Sequence, residues 1–250
     1  MLYRYLPFET YLRILSKMYF ISFNYGFLRG NRLFAYPYFL KNIVKNGDVC
    51  IDIGANLGYL TKVFSKLVGK NGKVYSIEPV KPVRSVLEKN TKCLKNVEIL
   101  PYALGEENKP IRIENNTFQE KGFVATGSFF VSDKKATQAS KSDSEFDAMM
   151  KKGSELFNHL QRLDFIKVDI EGYEIVVIPE IEPIIMKFKP MLLIETDGDN
   201  RKKLLQFFKV RNYRGYVLNE GVLYPAKEDE SWDILFVPEE KSDIVSKFLP

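Results

Sequence analysis

Residues 49–58 read V-C-I-D-I-G-A-N-L-G, an apolar run with one acid that closes on two glycines. Immediately afterwards Leu57, Leu60, Val63, Phe64, Leu67 and Val68 recur at helical spacing, and Gly69 and Gly72 end the pattern. A strand that passes through a tight glycine turn into a helix lets backbone amides approach a ligand at the helix start. The chain then repeats this unit. Strands are expected at Lys73–Glu78, Val97–Leu100, Asp164–Ile170 and Met191–Glu195, and near Tyr216–Leu218 and Trp232–Val237. Helical patterns intervene, one opened by Pro79 and Pro82 and carrying Val83, Val86, Leu87 and Leu94, another at Leu204, Leu205, Phe207 and Phe208. Regular alternation of this kind predicts an α/β fold, a doubly wound and mostly parallel seven-stranded sheet with helices on both faces. Ligands of such sheets lie at the carboxyl ends of the strands. Asp52, Glu78, Asp169 and Glu195 all fall near those ends.

Bulk properties narrow the class. A chain of 250 residues, 45% hydrophobic and 28% charged, can bury a sizeable core as one domain or a domain with an extension. Cys50 and Cys93 sit in apolar patterns and read as buried thiols. With His159 the one histidine, a zinc site of the usual kind is not expected. No run approaches the roughly 18 apolar residues of a membrane span, and the start lacks the pattern of a secretion signal. The plain expectation is a soluble, cytoplasmic chain.

Charge is concentrated at one end. Residues 1–47 hold seven Lys/Arg against Glu9, a net +6, whereas the remainder carries −1. The same segment is dense in aromatics, among them Tyr19, Phe20, Phe23, Tyr25, Phe27, Phe34, Tyr36, Tyr38 and Phe39. Such a composition suits a membrane surface, a nucleic acid or an acidic partner. Because the aromatics lack the spacing of a stacking platform, an added helical layer with its cations in water is the preferred reading. Peripheral membrane contact through residues 1–47 stays open, and nucleic acid is the weaker alternative.

Residues 106–163 break the alternation. They are polar, with short β-like pieces at Ile111–Ile113, Phe123–Val124 and Phe129–Val131, followed by a helical pattern of Phe146, Met149, Met150, Leu156, Phe157 and Leu160. An insertion over the active face is expected, with Asp133–Ser144 mobile.

Glu78 ends the second strand, where a carboxylate can accept both hydrogen bonds of a ribose diol. A dinucleotide requires G-x-G-x-x-G, but the order here is Asp52-x-Gly54-x-Asn56-x-Gly58. Asp52 would repel a pyrophosphate and attract a methionyl ammonium, which favours S-adenosylmethionine. Lys167-Val168-Asp169-Ile170-Glu171-Gly172 leaves a later strand with two carboxylates, and could equally be a turn whose acids serve orphan amides. After the fifth strand comes Glu195-Thr196-Asp197-Gly198-Asp199-Asn200, where Glu195 has the stronger claim to a cleft and Asp199 reads as a helix cap. His159 lies in the insertion's pattern and reads as a surface or packing residue.

Together the segments V-C-I-D-I-G-A-N-L-G-Y-L-T, V-Y-S-I-E-P, N-V-E-I-L-P-Y-A-L-G, D-F-I-K-V-D-I-E-G-Y-E and K-P-M-L-L-I-E resemble the FkbM family of S-adenosylmethionine-dependent methyltransferases, over roughly residues 48–197. The resemblance implies a class I (Rossmann-like) methyltransferase domain at 48–250, carrying an insertion at about 106–163 and preceded by the extension 1–47. It implies O-methyl transfer to a hydroxyl of a sugar, glycan or other small metabolite. It places Asp52, Gly54, Asn56 and Gly58 around the methionyl part, Glu78 on the ribose, and Ala103 and Leu104 near the adenine. Where family members often carry His two residues after the strand-five Glu, this chain has Asp197. An alcohol needs a base, and Asp169, Glu171 and Glu195 are the candidates. Direct carboxylate chemistry is preferred to a divalent cation on Asp169, Glu195 and Asp197, so no metal is expected. Two other functions remain open, ribose 2′-O-methylation of RNA and a cofactor-binding module without catalysis.

Overall fold

The computed structural model describes residues 6–115, 129–132, 145–230 and 233–250, with backbone alone at 129–132. The expected β-like piece at Phe123–Val124 and the stretch Asp133–Ser144 lie outside the described residues. Helices α1 (Phe8–Asn24) and α2 (Ala35–Phe39) precede β1 (Val49–Ile53), α3 (Tyr59–Val68), β2 (Lys73–Ile77), α4 (Lys81–Thr91) and β3 (Val97–Leu100). Next come β4 (Tyr102–Leu104), β5 (Lys109–Asn115), β6 (Phe129–Ser132), β7 (Glu145–Lys151) and the single turn α5 (Gly153–Leu156). The remainder is β8 (Phe165–Val168), α6 (Glu174–Glu180), α7 (Glu182–Phe188), β9 (Met191–Ile194), α8 (Gly198–Lys209), β10 (Tyr213–Asn219), β11 (Val222–Pro225), β12 (Ile234–Pro238) and α9 (Ser242–Val245).

The main sheet runs β11-β10-β12-β9-β8-β1-β2-β3, parallel from β9 to β3 and antiparallel beyond. It has eight strands, not the expected seven. The addition is β11, returned against β10 by a two-residue turn in which Glu220 (φ 49) and Gly221 (φ 84) are both left-handed. Two such residues match the strand twist and close a tight hairpin. Strands β8 and β9 are buried throughout, as central parallel strands covered on both faces should be. One face packs Val177, Ile178, Ile185, Leu204 and Phe208 from α6–α8. The other packs Phe64 and Val68 of α3, Phe39, Leu40 and Ile43 at and beyond α2, and Val245 of α9. Tyr36 ties the N-terminal segment down: its hydroxyl donates to the Asp233 carbonyl (3.0 Å) and accepts the Leu218 amide (3.1 Å).

Residues 102–151 hold a second sheet, β4-β7-β5-β6. The helical pattern expected from Phe146 is half wrong, because residues 145–151 are strand. Phe146, Ala148 and Met150 alternate onto Ile111, Ile113, Val83 and Val86, while Met149 is exposed. A period of two was hidden by Met149, an outward residue that happens to be apolar. Cys50 is buried as expected, but Cys93 is exposed, because the α4 helix ends at Thr91 before reaching it.

Candidate active site

In the main sheet the chain order reverses between β1 and β8, and the loops leaving these strands part to open a crevice. A cavity of about 530 Å³ sits there, walled by the ends of β1, β2, β8 and β9 and roofed by Tyr102–Leu104 and Ile113 of the second sheet.

Glu78 is buried at its inner wall. Its Oε2 accepts the Asn56 amide (3.0 Å) and its Oε1 the Val80 amide (2.9 Å). Each carboxylate oxygen keeps a lone pair for a further donor. Burial, only partly offset by those two amides, pushes its pKa up to about 7. Asn56 reaches this position through a positive φ of 52°.

Gly54, Asn56, Glu78, Ala103 and Leu104 of the expected cofactor residues line the cavity, whereas Asp52 and Gly58 do not. Asp52 is fully buried, and its neighbours across the sheet are Ser76 on β2 and Lys167 on β8. Its carboxylate accepts the Thr61 hydroxyl (2.6 Å) and lies 3.7 Å from Lys167 Nζ. Burial raises its pKa, against the pull of Lys167 and Thr61. The Asp52 carboxylate, expected near the methionyl part, thus lies within the sheet among Thr61 and Lys167 and not on the cavity wall. Gly58 (φ 88) is the residue before α3, where a Cβ would come 2.8 Å from Leu87. It serves helix packing.

Gly54 has a different constraint. A Cβ there would lie 1.9 Å from the Asp169 carbonyl oxygen, at a φ of +75°. Gly54→Ala is expected to lower the thermal unfolding midpoint by about 10 °C or more, because the left-handed conformation alone costs about 1–2 kcal/mol and the β1 and β8 loops must also separate. A melting curve checks it, and an unchanged midpoint would refute the close crossing.

Asp169, Glu171 and Glu195 all reach the cavity. Lys167, named within the K-V-D-I-E-G motif but given no role by the sequence, organises them. Its buried Nζ donates to the Gly54 carbonyl (2.8 Å) and sits 3.0 Å from Asp169 Oδ2. Asp169 is held below the usual carboxylate range by the Lys167 charge and a hydrogen bond from Glu195, which outweigh its burial. Glu195 moves the other way, to about 9, through desolvation and then the charge and hydrogen bond of Asp169. The two carboxylates hold one proton between them at neutral pH. Asp233 adds to this negative field and is itself raised to about 6 by burial and by Asp169. β12 is antiparallel to β9, with Ile234 opposite Ile194, so the residue before β12 neighbours Glu195, a pairing that the sequence does not reveal.

Glu171 stands at the exposed rim with φ 55°, followed by Gly172 at φ 94°. Desolvation, then the charges of Asp169 and Glu174, push it up to about 7. The amide-serving acid of this loop is neither Asp169 nor Glu171 but Glu174, whose Oε1 accepts the Ile170 (2.9 Å) and Gly172 (3.3 Å) amides. Beyond β9, the residue preceding α8 is Asp197, without a side-chain cap bond, and Asp199 pairs with Lys202 at 3.8 Å. Asp199 therefore lies inside the first turn and is not the expected cap. His159 is exposed, edge-on to Tyr75 (6.2 Å between rings), and does not line the cavity.

A family model described as the methyltransferase FkbM domain matches residues 52–217. The chain belongs to the FkbM methyltransferase family. Its sheet order, with β11 added at one edge, is that of a class I S-adenosylmethionine-dependent methyltransferase. A protein-L-isoaspartate O-methyltransferase of Methanosarcina mazei is 43% identical over 56 residues, 22% of this chain and 23% of that protein. The matched stretch thus spans less than a quarter of that relative. Among solved structures, an FkbM methyltransferase of Methylobacillus flagellatus superposes over 76% of this chain and 43% of its own (TM-score 0.48, 15% identity). Aeropyrum pernix fibrillarin with bound S-adenosyl-L-methionine superposes over 78% of this chain and 67% of its own (TM-score 0.44, 12% identity).

The cavity fits the cofactor. Glu78, anchored by two amides with a lone pair left on each oxygen, matches a ribose diol. The Asp169–Glu195 pair offers negative charge to a cationic end.

Proposed function

We propose that this FkbM methyltransferase methylates a hydroxyl of an uncharged small molecule, a sugar, glycan or similar metabolite, with Glu171 as the base. One observation carries the choice of acceptor. The described residues lining the cavity include four carboxylates, Glu78, Asp169, Glu171 and Glu195, and no Lys or Arg. A phosphodiester backbone entering such a cleft would be repelled, whereas a neutral polyol finds acceptors for its hydroxyls. That weighs against ribose methylation of RNA, despite the basic N-terminal segment.

When bound, S-adenosylmethionine supplies an electrophilic methyl group on a sulfonium. The protein's residues must place the acceptor oxygen in line with it and remove the hydroxyl proton as the carbon–oxygen bond forms. Besides Glu78, three carboxylates are within the cleft, and their protonation separates their roles. Glu195, protonated at neutral pH, has no free site for a proton, and Asp169 is tied to Lys167 and is too weak a base. Glu171, at about 7, is half ionised at neutral pH, where a general base works best. Glu78 would hold the ribose, and Asp169 with Glu195 the cationic methionyl end.

Because the base must be ionised, kcat/KM is expected to rise with pH and level off above about 7. Glu171→Gln is expected to lower kcat by about 10²- to 10⁴-fold and to flatten that rise, with cofactor affinity within about twofold. The test is methyl transfer from labelled cofactor to a panel of neutral glycosides and polyols, with RNA alongside. Transfer to RNA and to none of the neutral acceptors would refute the proposal.

A further inference from the structure

Helix α1 is apolar on two opposite sides. Inward, Leu12 is fully buried, Tyr19 lies 4.2 Å ring to ring from Tyr59, and Phe23 stacks on Tyr38 at 4.4 Å. Outward stand Met18 and Ile21, with Tyr25 just beyond the last turn, all exposed, and Leu15 is exposed at the border between the two sides. The chain continues to Phe27, 77% exposed, and Leu33, 72% exposed. Ten large hydrophobic side chains are exposed among the described residues, and six of them fall within residues 15–33. Scattered apolar exposure is ordinary, but a cluster of this kind marks a contact surface. A helix apolar on both sides requires apolar material on both, and here protein covers one side.

The surroundings are basic. Arg13, Lys17, Arg29 and Arg32 are exposed around the patch. On the other side of α1, between Phe20, Phe23 and Asn24, residues 29–42 and α3, runs a groove of about 1580 Å³ that shares Arg29 and Arg32 with the surroundings of the patch. Arg29, Arg32, Lys41, Lys62, Lys66 and Lys70 are among its walls, and Glu220 is the only acid among the described residues that line it.

Apolar exposure and charge together choose the occupant. RNA would answer the cations and stack on aromatics, yet it would leave Leu15, Met18, Ile21 and Leu33 against water or phosphate. An anionic lipid surface answers both features, its headgroups the cations and its acyl boundary the aliphatic side chains. No helix among the described residues is long and apolar enough to cross a membrane, so contact through this face would be peripheral. We propose that the outer side of α1 and residues 25–33, with Arg13, Lys17, Arg29 and Arg32 around them, form a docking face for an anionic lipid bilayer.

The test is co-sedimentation of the full chain with phosphatidylcholine vesicles, with and without phosphatidylglycerol. Binding is expected with phosphatidylglycerol and not with phosphatidylcholine alone. Arg29→Ala/Arg32→Ala is expected to weaken partitioning about 25-fold, roughly fivefold per charge. Phe27→Ser/Leu33→Ser is expected to weaken it at unchanged charge, and both variants should titrate with S-adenosylmethionine as the wild type does. Three results would overturn the proposal: no binding to anionic vesicles, binding that both variants leave unchanged, or a dimer by light scattering that Phe27→Ser/Leu33→Ser abolishes. RNA binding that the same variants weaken, without vesicle binding, would assign the face to nucleic acid instead.

Discussion

Lys167→Met is expected to destabilise the protein by about 3–5 kcal/mol, the usual cost of removing one partner from a buried ion pair. Lys167 is the buried cation between Asp52, at 3.7 Å, and Asp169, at 3.0 Å, and it also donates to the Gly54 carbonyl. Without it, the fully buried Asp52 must either hold an uncompensated charge or take up a proton. That choice gives the loss a pH signature. Burial already raises the folded-state pKa of Asp52 above its ordinary 3.8, and removing Lys167 raises it further. A raised carboxylate costs nothing below its unfolded value, and its cost grows as pH rises towards the folded one. The variant is therefore expected to lag the wild type least near pH 4 and most at neutral pH, and Asp52→Asn should return part of the loss. Urea unfolding at several pH values measures it. A pH-independent loss below about 1 kcal/mol would mean that Lys167 does not neutralise Asp52.

Glu78→Gln is expected to weaken S-adenosylmethionine binding by about 100-fold, with little change in fold. A hydrogen bond to a charged group contributes about 1.5–3 kcal/mol, and the two donors of the diol draw Glu78, half ionised near pH 7 when unliganded, to its carboxylate form. Glutamine keeps one acceptor oxygen and puts a donating amide in place of the other, which both removes an acceptor and opposes a hydroxyl. Size is retained, although one of the Asn56 and Val80 amides then faces the glutamine NH2 and loses its acceptor. Calorimetric titration of wild type and variant settles the point, with the melting temperature as the check on folding. Affinity within about threefold of wild type would remove Glu78 from the cofactor site.

Much of this architecture is legible in the chain. The strand–helix alternation predicts a doubly wound sheet, and strand ends at Ile53, Ile77, Val168 and Ile194 bring Gly54, Glu78, Asp169 and Glu195 to one crevice. These signals are local, because each depends on periodicity within a few residues or on a turn that only glycine tolerates. The failures share a cause as well. Whether Asp52 faces a ligand or the sheet interior depends on Ser76 and Lys167, residues 24 and 115 positions away. Phe146, Met149 and Met150 fit a helix until Ile111 and Ile113 supply the partner strand that selects alternation. The hairpin through Glu220 and Gly221 shows only as a single glycine after a polar residue, which is too weak a cue to mark a strand return.

The amino-acid sequence by itself determined the fold class, the family and the methyl donor, since these rest on short motifs whose spacing is readable along the chain. Tertiary structure alone set the acids apart from one another. Glu171, Asp169, Glu195, Asp233 and Lys167 acquire different proton affinities from one another's charges and from burial. Those fields act through space between residues far apart in the chain, so no local reading of the sequence contains them.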